Sequence, residues 1–364
     1  MSRTRLFGSL CGLVFLVNFA RIVFAPLVGE FIDAFAIGEG TAGLIVTLAW
    51  LGSAAPRLPA GWALTRFSRQ GVILASGSVL VAGAFGVAIA SDVLALMVAA
   101  FAVGCGSGVY FVAANPFLSE LFPNRVGRVM GIHGMASQLA AVVAAPVVTV
   151  ALWYDWRLAF HGLALVTAAT TVVFSALARR TDLPEAGAGD TDFLAGVRTE
   201  WKLILAGVVL MGLTSFVWQG LFNFYELYMI DKGIPPAAAR NLLTVIFAAG
   251  VPAFLLAGDL ADRLPYVPFL LGIVSAFVGS VVLVVAASGL VAVVLASVVV
   301  GFVIHMLFPV ADTYLLASLP DESRASAYAV YSAGAMSAQA AGSWVVGEAV
   351  EAGAAFDAVF LALA

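Results

Sequence analysis

Charged residues are scarce in this chain of 364 residues, since Asp, Glu, Lys and Arg together make up only 10% of it. A soluble globular domain carries about 25% charged residues. The apolar and aromatic residues reach 63%, and the mean hydropathy is +1.07. A chain of this composition could not cover its own surface with polar atoms. The composition therefore predicts an integral membrane protein and argues against a soluble one.

Residues that carry metal, redox or catalytic chemistry are also few. The two cysteines, Cys11 and Cys105, both lie in apolar runs, which argues against a disulfide framework or a CxxC metal site. The three histidines never show HExxH spacing, and no Walker-type phosphate loop is present. The net charge is −4 without a basic block, which argues against nucleic-acid binding. We therefore expect neither an enzyme nor a cofactor, a bound metal or ATP as an energy source.

What the chain does have is a series of apolar runs of about 20 residues, the length that a membrane-spanning helix needs. The runs lie at about 6–29, 41–63, 71–91, 94–116, 127–152, 157–178, 203–229, 239–258, 266–287, 290–316 and 326–347. A twelfth run opens near Ala355, and its ten residues would rise only about 15 Å. The pattern predicts an all-α membrane protein with 12 transmembrane helices. We expect the last helix to be truncated here and to continue in the natural chain.

The basic residues predict the orientation, because they concentrate on the cytoplasmic side of membrane proteins. With the N-terminus inside, the outer side holds only Arg157, Lys232 and Arg240. The inner side then holds Arg3, Arg5, Arg66, Arg69, Arg125, Arg128, Arg179, Arg180, Arg198, Lys202, Arg263 and Arg324. This bias predicts a multi-pass protein of the plasma membrane with a cytoplasmic N-terminus.

An internal repeat divides the chain into two halves. The segment from Gly61 to Arg66 reads GWALTR and that from Gly258 to Arg263 reads GDLADR, an offset of 197 residues. Pro123 and Pro320 share this offset, and so do Asn115 and Asp312. The repeat predicts two pseudo-symmetric six-helix bundles, at 1–178 and 203–364, joined by a cytoplasmic linker at 179–202. Parallel repeats of this kind occur in transporters that rock about a site between the two bundles.

At these residues the chain resembles the major facilitator superfamily. The first repeat, GWALTRFSRQG, resembles the family's loop between helices 2 and 3, although Thr65 stands where that pattern has Asp. The second repeat, GDLADRLP, resembles the corresponding loop between helices 8 and 9. The resemblance covers nearly the whole chain and reaches the superfamily, but no substrate class. It implies a secondary transporter that works by alternating access.

The resemblance also implies a conformational latch in these two loops. A carboxylate such as Asp262 is stabilised against the positive end of a helix and can hold one conformation closed. The expected latch residues are Gly61, Arg66, Arg69, Gly258, Asp262 and Arg263. The alternative is that the arginines serve only as topology anchors. Glu120 and Asp312 are interpreted as partners of arginines at the same ends of the helices.

The expected solute site centres on Arg21, because a cation within a transmembrane helix is costly unless it has a partner, a cavity or a function. Asn18 lies three residues earlier, on the same helix face, and the 197-residue offset relates Arg21 to Trp218. In the superfamily, helices 1, 4, 7 and 10 line the cavity. The expected substrate-binding residues are Asn18, Arg21, Tyr110, Trp218, Gln219, Asn223 and His305. A structural ion pair of Arg21 and a packed His305 remain alternatives.

Three other polar residues, two at outer helix ends and one at mid-depth in helix 11, are assigned smaller roles. Glu30 and Glu226 are interpreted as solvated charges at the outer rim, and Gln339 as a bridge between helices.

A guanidinium is a rigid fork that suits a carboxylate or phosphate. The preferred function is therefore transport of a small organic anion by a monomer in the lipid bilayer, with a proton or another ion as coupling partner. The alternative is a proton-coupled efflux pump for lipophilic compounds. Two departures count against that alternative, since Ala100 replaces the Arg common in proton-coupled members and the stretch around Pro146 lacks the glycines of drug antiporters.

Overall fold

A computed structural model describes residues 2–64, 66–122, 126–181, 198–261, 263–319 and 324–364, and all regular structure in these ranges is helical. The first half contains α1 (Ser2–Ile22), a 3₁₀ turn (Ala25–Leu27), α2 (Val28–Phe35), α3 (Glu39–Ala54), α4 (Arg57–Ala63), α5 (Arg69–Ile89), α6 (Val93–Leu121), α7 (Val126–Ala151) and α8 (Arg157–Ala178). The second half contains α9 (Trp201–Asp231), α10 (Pro236–Ala261), α11 (Tyr266–Ala286), α12 (Gly289–Ser318), α13 (Arg324–Glu351) and α14 (Phe356–Leu363).

Two of the predicted runs are not single helices, and proline is the reason in both. The run at 6–29 is broken because Pro26 lacks an N–H and its ring crowds the carbonyl four residues earlier, that of Ile22, where α1 ends. The run at 41–63 is divided into α3 and α4 around Pro56. Pro116, Pro146, Pro252 and Pro309 instead lie inside continuous helices.

Nine helices in the described ranges are long and apolar enough to cross a membrane. The three predicted runs that fall outside this set are those at 41–63, 326–347 and 355–364. The first is divided by Pro56, the second is the Ala-, Ser- and Gly-rich α13, and the third is the eight-residue α14. The chain is thus a multi-pass, all-helical protein in its described part, and the layout of 12 spans stays a prediction.

The 197-residue offset reappears in the helix bounds. Adding 197 to the bounds of α5 gives 266–286, which are the bounds of α11. The same shift takes α6 to 290–318, where α12 spans 289–318.

Helix capping follows the local sequence, since the Ser68 hydroxyl accepts a hydrogen bond from the Gly71 N–H (3.2 Å) at the start of α5. The Asp92 carboxylate does the same for the Ala95 N–H (2.9 Å) at the start of α6.

The helices form two compact units, one of residues 1–24 and 48–191 and one of residues 25–47 and 192–364. In the first unit α1 packs against α6, α7 and α8, and α5 packs against α6 and α8. In the second, α9 packs against α13, α10 against α12, and α11 against α12. Small residues let the backbones approach closely: a Cβ on Gly104 of α6 would lie 2.9 Å from the backbone of Gly52 in α3.

Candidate functional site

Arg21 lies in the last turn of α1 and is buried, with 7% of its surface exposed. One guanidinium nitrogen, Nη2, donates to Oδ1 of Asn18 at 2.7 Å. The other, Nη1, lies 3.4 Å from Oγ of Ser53 in α3. The Asn18 amide is oriented by its own donation to the carbonyl of Ser137 at 2.7 Å. The structure therefore brings Asn18 and Arg21 together, as expected, and adds Ser53.

Two aromatic rings flank the guanidinium of Arg21. The ring centroids of Trp50 in α3 and Phe111 in α6 each lie 5.0 Å from its Cζ atom. Such cation–π contacts stabilise a partly desolvated cation by about 0.5–2 kcal/mol. Trp50 and Ser53 are three residues apart on α3, and so they present one helix face to Arg21. Neither residue stands out in the sequence, because both lie in a run that reads as an ordinary apolar helix.

The positive charge of Arg21 has no carboxylate partner among the residues that the structure describes, where the ion pairs all involve other cations. A buried cation without a counter-charge is costly. Its Nε–H is buried and has no hydrogen-bond acceptor in this part of the chain. The arrangement can therefore accept an anion, whose oxygens would supply both the missing charge and the missing hydrogen bond.

Tyr110, another expected site residue, lies one residue from Phe111 but points elsewhere. Its hydroxyl donates to the carbonyl of Leu10 at 2.8 Å and lies 3.0 Å from Nε2 of His133. Because the single phenolic proton goes to Leu10, the His133 ring must donate through Nε2–H. The Tyr110 hydroxyl thus has partners from α1 and α7 and joins three helices.

In the second unit, the expected residues Gln219 and Asn223 lie one turn apart on α9 and are buried. The Gln219 Oε1 accepts from Nε2 of Gln339 in α13 at 2.7 Å, which is the interhelical bridge expected for Gln339. The Asn223 Nδ2 donates to Oγ of Ser343 at 2.8 Å. The Nε2 of Gln219 and the Oδ1 of Asn223 are buried without a partner in the described residues. One donor and one acceptor thus remain here for a hydroxyl group or water.

His305 and Trp218 belong to an aromatic cluster in the same unit. The His305 Nδ1 donates to the carbonyl of Gly301 at 2.6 Å, one turn earlier in α12. The imidazole contacts the ring of Trp218 edge-on, with centroids 5.9 Å apart. Further rings around it are those of Phe247, Phe254 and Phe308, at 5.4, 5.8 and 6.4 Å. The cluster is a largely apolar group of rings around one imidazole, in which Trp218, Phe247 and His305 are buried.

Glu226, which the sequence placed on a solvated rim, is instead buried in α9 with 6% of its surface exposed, and this interpretation was wrong. Its carboxylate pairs with the guanidinium of Arg240 in α10, Oε1 to Nη2 at 2.7 Å and Oε2 to Nε at 3.1 Å. The same Nη2 lies 3.7 Å from Glu30 in α2. The pairing was missed because it depends on how the start of α10 packs against α9.

We expect Arg240→Met to lower the free energy of unfolding by about 3–5 kcal/mol, because it leaves the buried Glu226 carboxylate without its counter-charge. The double variant Arg240→Met/Glu226→Met should recover most of this loss. Arg157→Met is the matched control, since its pair with Asp155 is 3.9 Å long and its two side chains are 34% and 49% exposed, and it should cost less than about 1 kcal/mol. Thermal unfolding in detergent measures all three, and equal losses for Arg240→Met and Arg157→Met would contradict a buried pair.

The expected latch is described only in part. Arg69, at the start of α5, forms a two-pronged pair with Glu120 of α6, Nε to Oε2 at 2.8 Å and Nη2 to Oε1 at 2.5 Å. Arg66 is exposed and lies over the ring of Trp62, 4.4 Å from its centroid.

The other latch positions add little contact in the described residues. Gly61 has open space around it, Gly258 lies within α10, and Arg263 is exposed. Asp262 and Thr65 lie outside the described residues. The latch stays a prediction.

Comparisons with solved structures agree on one fold. The nucleoside transporter NupG superposes with a TM-score of 0.83 at 14% identity, covering 100% of this chain and 96% of that one. A bacterial homologue of the human lysosomal transporter Spinster, in an inward-facing conformation, gives 0.76 at 16% identity over 96% and 83%. The D-xylose–proton symporter gives 0.76 at 16% identity over 94% and 89%. A search of curated proteins found no match.

The family comparison is more specific than these fold similarities. The sequence model described as the Major Facilitator Superfamily matches residues 10–364, nearly the whole chain. This match agrees with the resemblance carried by the two repeated loops, and it makes the chain a multi-pass membrane transporter and not an enzyme. The protein belongs to the Major Facilitator Superfamily.

Proposed function

We propose that this protein is a secondary active transporter that moves a small organic anion across the membrane by alternating access. The observation that carries the proposal is Arg21, a buried cation that has no carboxylate partner in the described residues. In an apolar environment such a charge needs compensation. A bound anionic solute supplies the counter-charge of Arg21, and its release leaves that charge uncompensated again. The charge balance of the site therefore depends on whether solute is bound.

The residues around Arg21 supply orientation. Asn18 and Ser53 hold the guanidinium through its two Nη atoms, so its plane is set before a solute arrives. A rigid, preoriented fork recognises a planar carboxylate better than a flexible ammonium does. In the second unit, Gln219 and Asn223 stay proposed substrate-binding residues, and the unpartnered Nε2 of Gln219 and Oδ1 of Asn223 suit a hydroxyl or similar polar group. Trp218 and His305 stay proposed substrate-binding residues that suit an apolar group.

Orientation, location and domain division complete the proposal. The distribution of Lys and Arg supports a cytoplasmic N-terminus in the plasma membrane. The repeat supports bundles at 1–178 and 203–364 with a linker at 179–202. A monomer is the proposed functional unit. A proton is the first candidate for the coupling ion, because one structural neighbour is a proton symporter.

A second candidate function is proton-coupled efflux of lipophilic compounds. It is favoured by the aromatic cluster of Trp218, Phe247, Phe254 and Phe308 around His305, since aromatic walls bind apolar ligands through large, rigid surfaces.

A paired ligand panel separates the two functions. Purified protein is heated with carboxylates (acetate, lactate, succinate, benzoate), with the amide of each, and with neutral lipophilic dyes. We expect at least one carboxylate, but not its amide, to raise the midpoint of thermal unfolding. A ligand present at 100 times its Kd stabilises the folded state by about 2.7 kcal/mol. Stabilisation by the dyes alone would contradict anion transport and favour efflux.

A further inference from the structure

The surroundings of Arg21 contain a second buried donor that has no acceptor in the described residues. This donor is the indole Nε1–H of Trp50, and it joins the Nε–H of Arg21 in the same condition. Most buried donors in folded proteins are hydrogen-bonded. Leaving one without a partner destabilises the folded protein. Two such donors on residues that contact each other indicate an acceptor that neither helix provides.

The two residues that carry these donors are in contact. The Cζ atom of Arg21 lies 5.0 Å from the centroid of the Trp50 ring. A hydrogen bond spans about 2.7–3.2 Å, and a carboxylate offers two oxygens in one plane, one for each donor. The cation contacts the face of the Trp50 ring, whereas the indole N–H lies in the plane of the ring. The N–H therefore does not take part in the contact with the cation and can donate to another group.

Charge favours an anion over water as this partner. Arg21 is itself cationic, and Arg57 of α4 is close enough to interact with it electrostatically. Arg57 is held near this site by its donation from Nε to the carbonyl of Ser53, at 3.2 Å. Arg21 carries its charge in a buried environment, and hydrogen bonds to a charged acceptor are about twice as strong as neutral ones.

We propose that the indole N–H of Trp50 is the second hydrogen-bond donor to the solute, and that together with Arg21 Nε–H it makes a carboxylate the preferred anionic group. The proposal rests on the proposed function and specifies its head group. A carboxylate presents two oxygens in one plane to two donors. A phosphate or sulfate would bring further charged oxygens, while the Nη atoms of Arg21 already bond to Asn18 and Ser53.

The test uses Trp50→Phe, which retains an aromatic ring for the cation but removes the N–H. The probe is whichever of acetate, lactate, succinate and benzoate binds the wild-type protein most tightly. We expect Trp50→Phe to raise the Kd of that carboxylate at least 10-fold, because a hydrogen bond to a charged group is lost. The matched control is Trp62→Phe, because Trp62 is 57% exposed. The Kd of the carboxylate for this variant should equal that for the wild-type protein. Inorganic phosphate and sulfate should bind more weakly than the carboxylate.

A second measurement keeps the proposal testable if Trp50→Phe folds poorly. In wild-type protein labelled with ¹⁵N-tryptophan, the indole N–H resonance of Trp50 should move downfield when the carboxylate is added, and stay in place with its amide. A resonance that does not move, or a Trp50→Phe variant with wild-type Kd, would overturn the role of Trp50. Anion transport would still stand in that case if Arg21→Ala abolished binding. If the wild-type protein binds no anion at all, the proposed function itself fails.

Discussion

Replacing Arg21 by alanine is expected to lower the transport rate of an anionic solute at least 100-fold, while the protein stays folded. The buried guanidinium has no carboxylate partner in the described residues, so its removal strands no counter-charge there. It also removes the desolvation cost of a cation. Arg21→Lys should retain little activity, because a flexible ammonium lacks the fixed Nε–H of the guanidinium that Asn18 and Ser53 orient. Uptake into proteoliposomes, with thermal unfolding measured in parallel, checks both variants.

The matched control for charge is Arg179→Ala, because Arg179 is exposed at the end of α8. It should transport at the wild-type rate. A structural role for Arg21 leads to a different outcome, in which the alanine variant unfolds and removal of an acidic residue restores it. Wild-type uptake of an identified anion by a folded Arg21→Ala protein would refute the anion site and favour lipophilic efflux.

Gly104→Leu is expected to prevent assembly of the first unit, with a loss of more than about 3 kcal/mol. A Cβ at Gly104 of α6 would lie 2.9 Å from the backbone of Gly52, and closer still to the carbonyl oxygen of Ala49 in α3. Backbone atoms cannot move away as a side chain can, so the helices would have to separate. Overpacking in a close-packed interior costs about 1–3 kcal/mol even where side chains can adjust.

Gly162→Leu is the control for this substitution, since Gly162 lies in α8 with no atom within 4 Å of its added Cβ. Leucine has the higher helix propensity, by about 0.8 kcal/mol, so this variant should be as stable as the wild type or more stable. The yield of monodisperse protein and the midpoint of thermal unfolding measure both. Equal midpoints for the two leucine variants would show that α3 and α6 do not pack closely at Gly104.

Helices α5 and α11 could be predicted from the sequence because hydrocarbon restricts the conformations that a backbone can adopt. Backbone groups in hydrocarbon must be hydrogen-bonded within the segment, so the apolar runs at α5 and α11 form continuous helices. The repeat offset of 197 then relates 69–89 to 266–286, a relation already present in the sequence. At Pro26 the missing N–H accompanies the end of α1, whereas α6 continues through Pro116, so a proline by itself does not tell which apolar run is broken.

Some residues of the candidate site could be identified from the sequence alone, and others could not. Arg21 could be found from the sequence alone, because a cation in an apolar run is rare and costly. Asn18 could be found as well, because helix periodicity places residues three apart on one face. These inferences need only the periodicity of one helix.

Tertiary structure alone determines the contacts of Trp50 and Ser53 with Arg21 and the pairing of Glu226 with Arg240. Each depends on which face of one helix meets another: α3 with α1 at Arg21, and α10 with α9 at Glu226. A tryptophan in an apolar run reads as packing, and a glutamate near a helix end reads as solvated. Composition and periodicity determine that a segment is a transmembrane helix. The rotation and approach of its neighbours determine which of its polar atoms are satisfied, because those depend on side-chain contacts between segments distant in sequence.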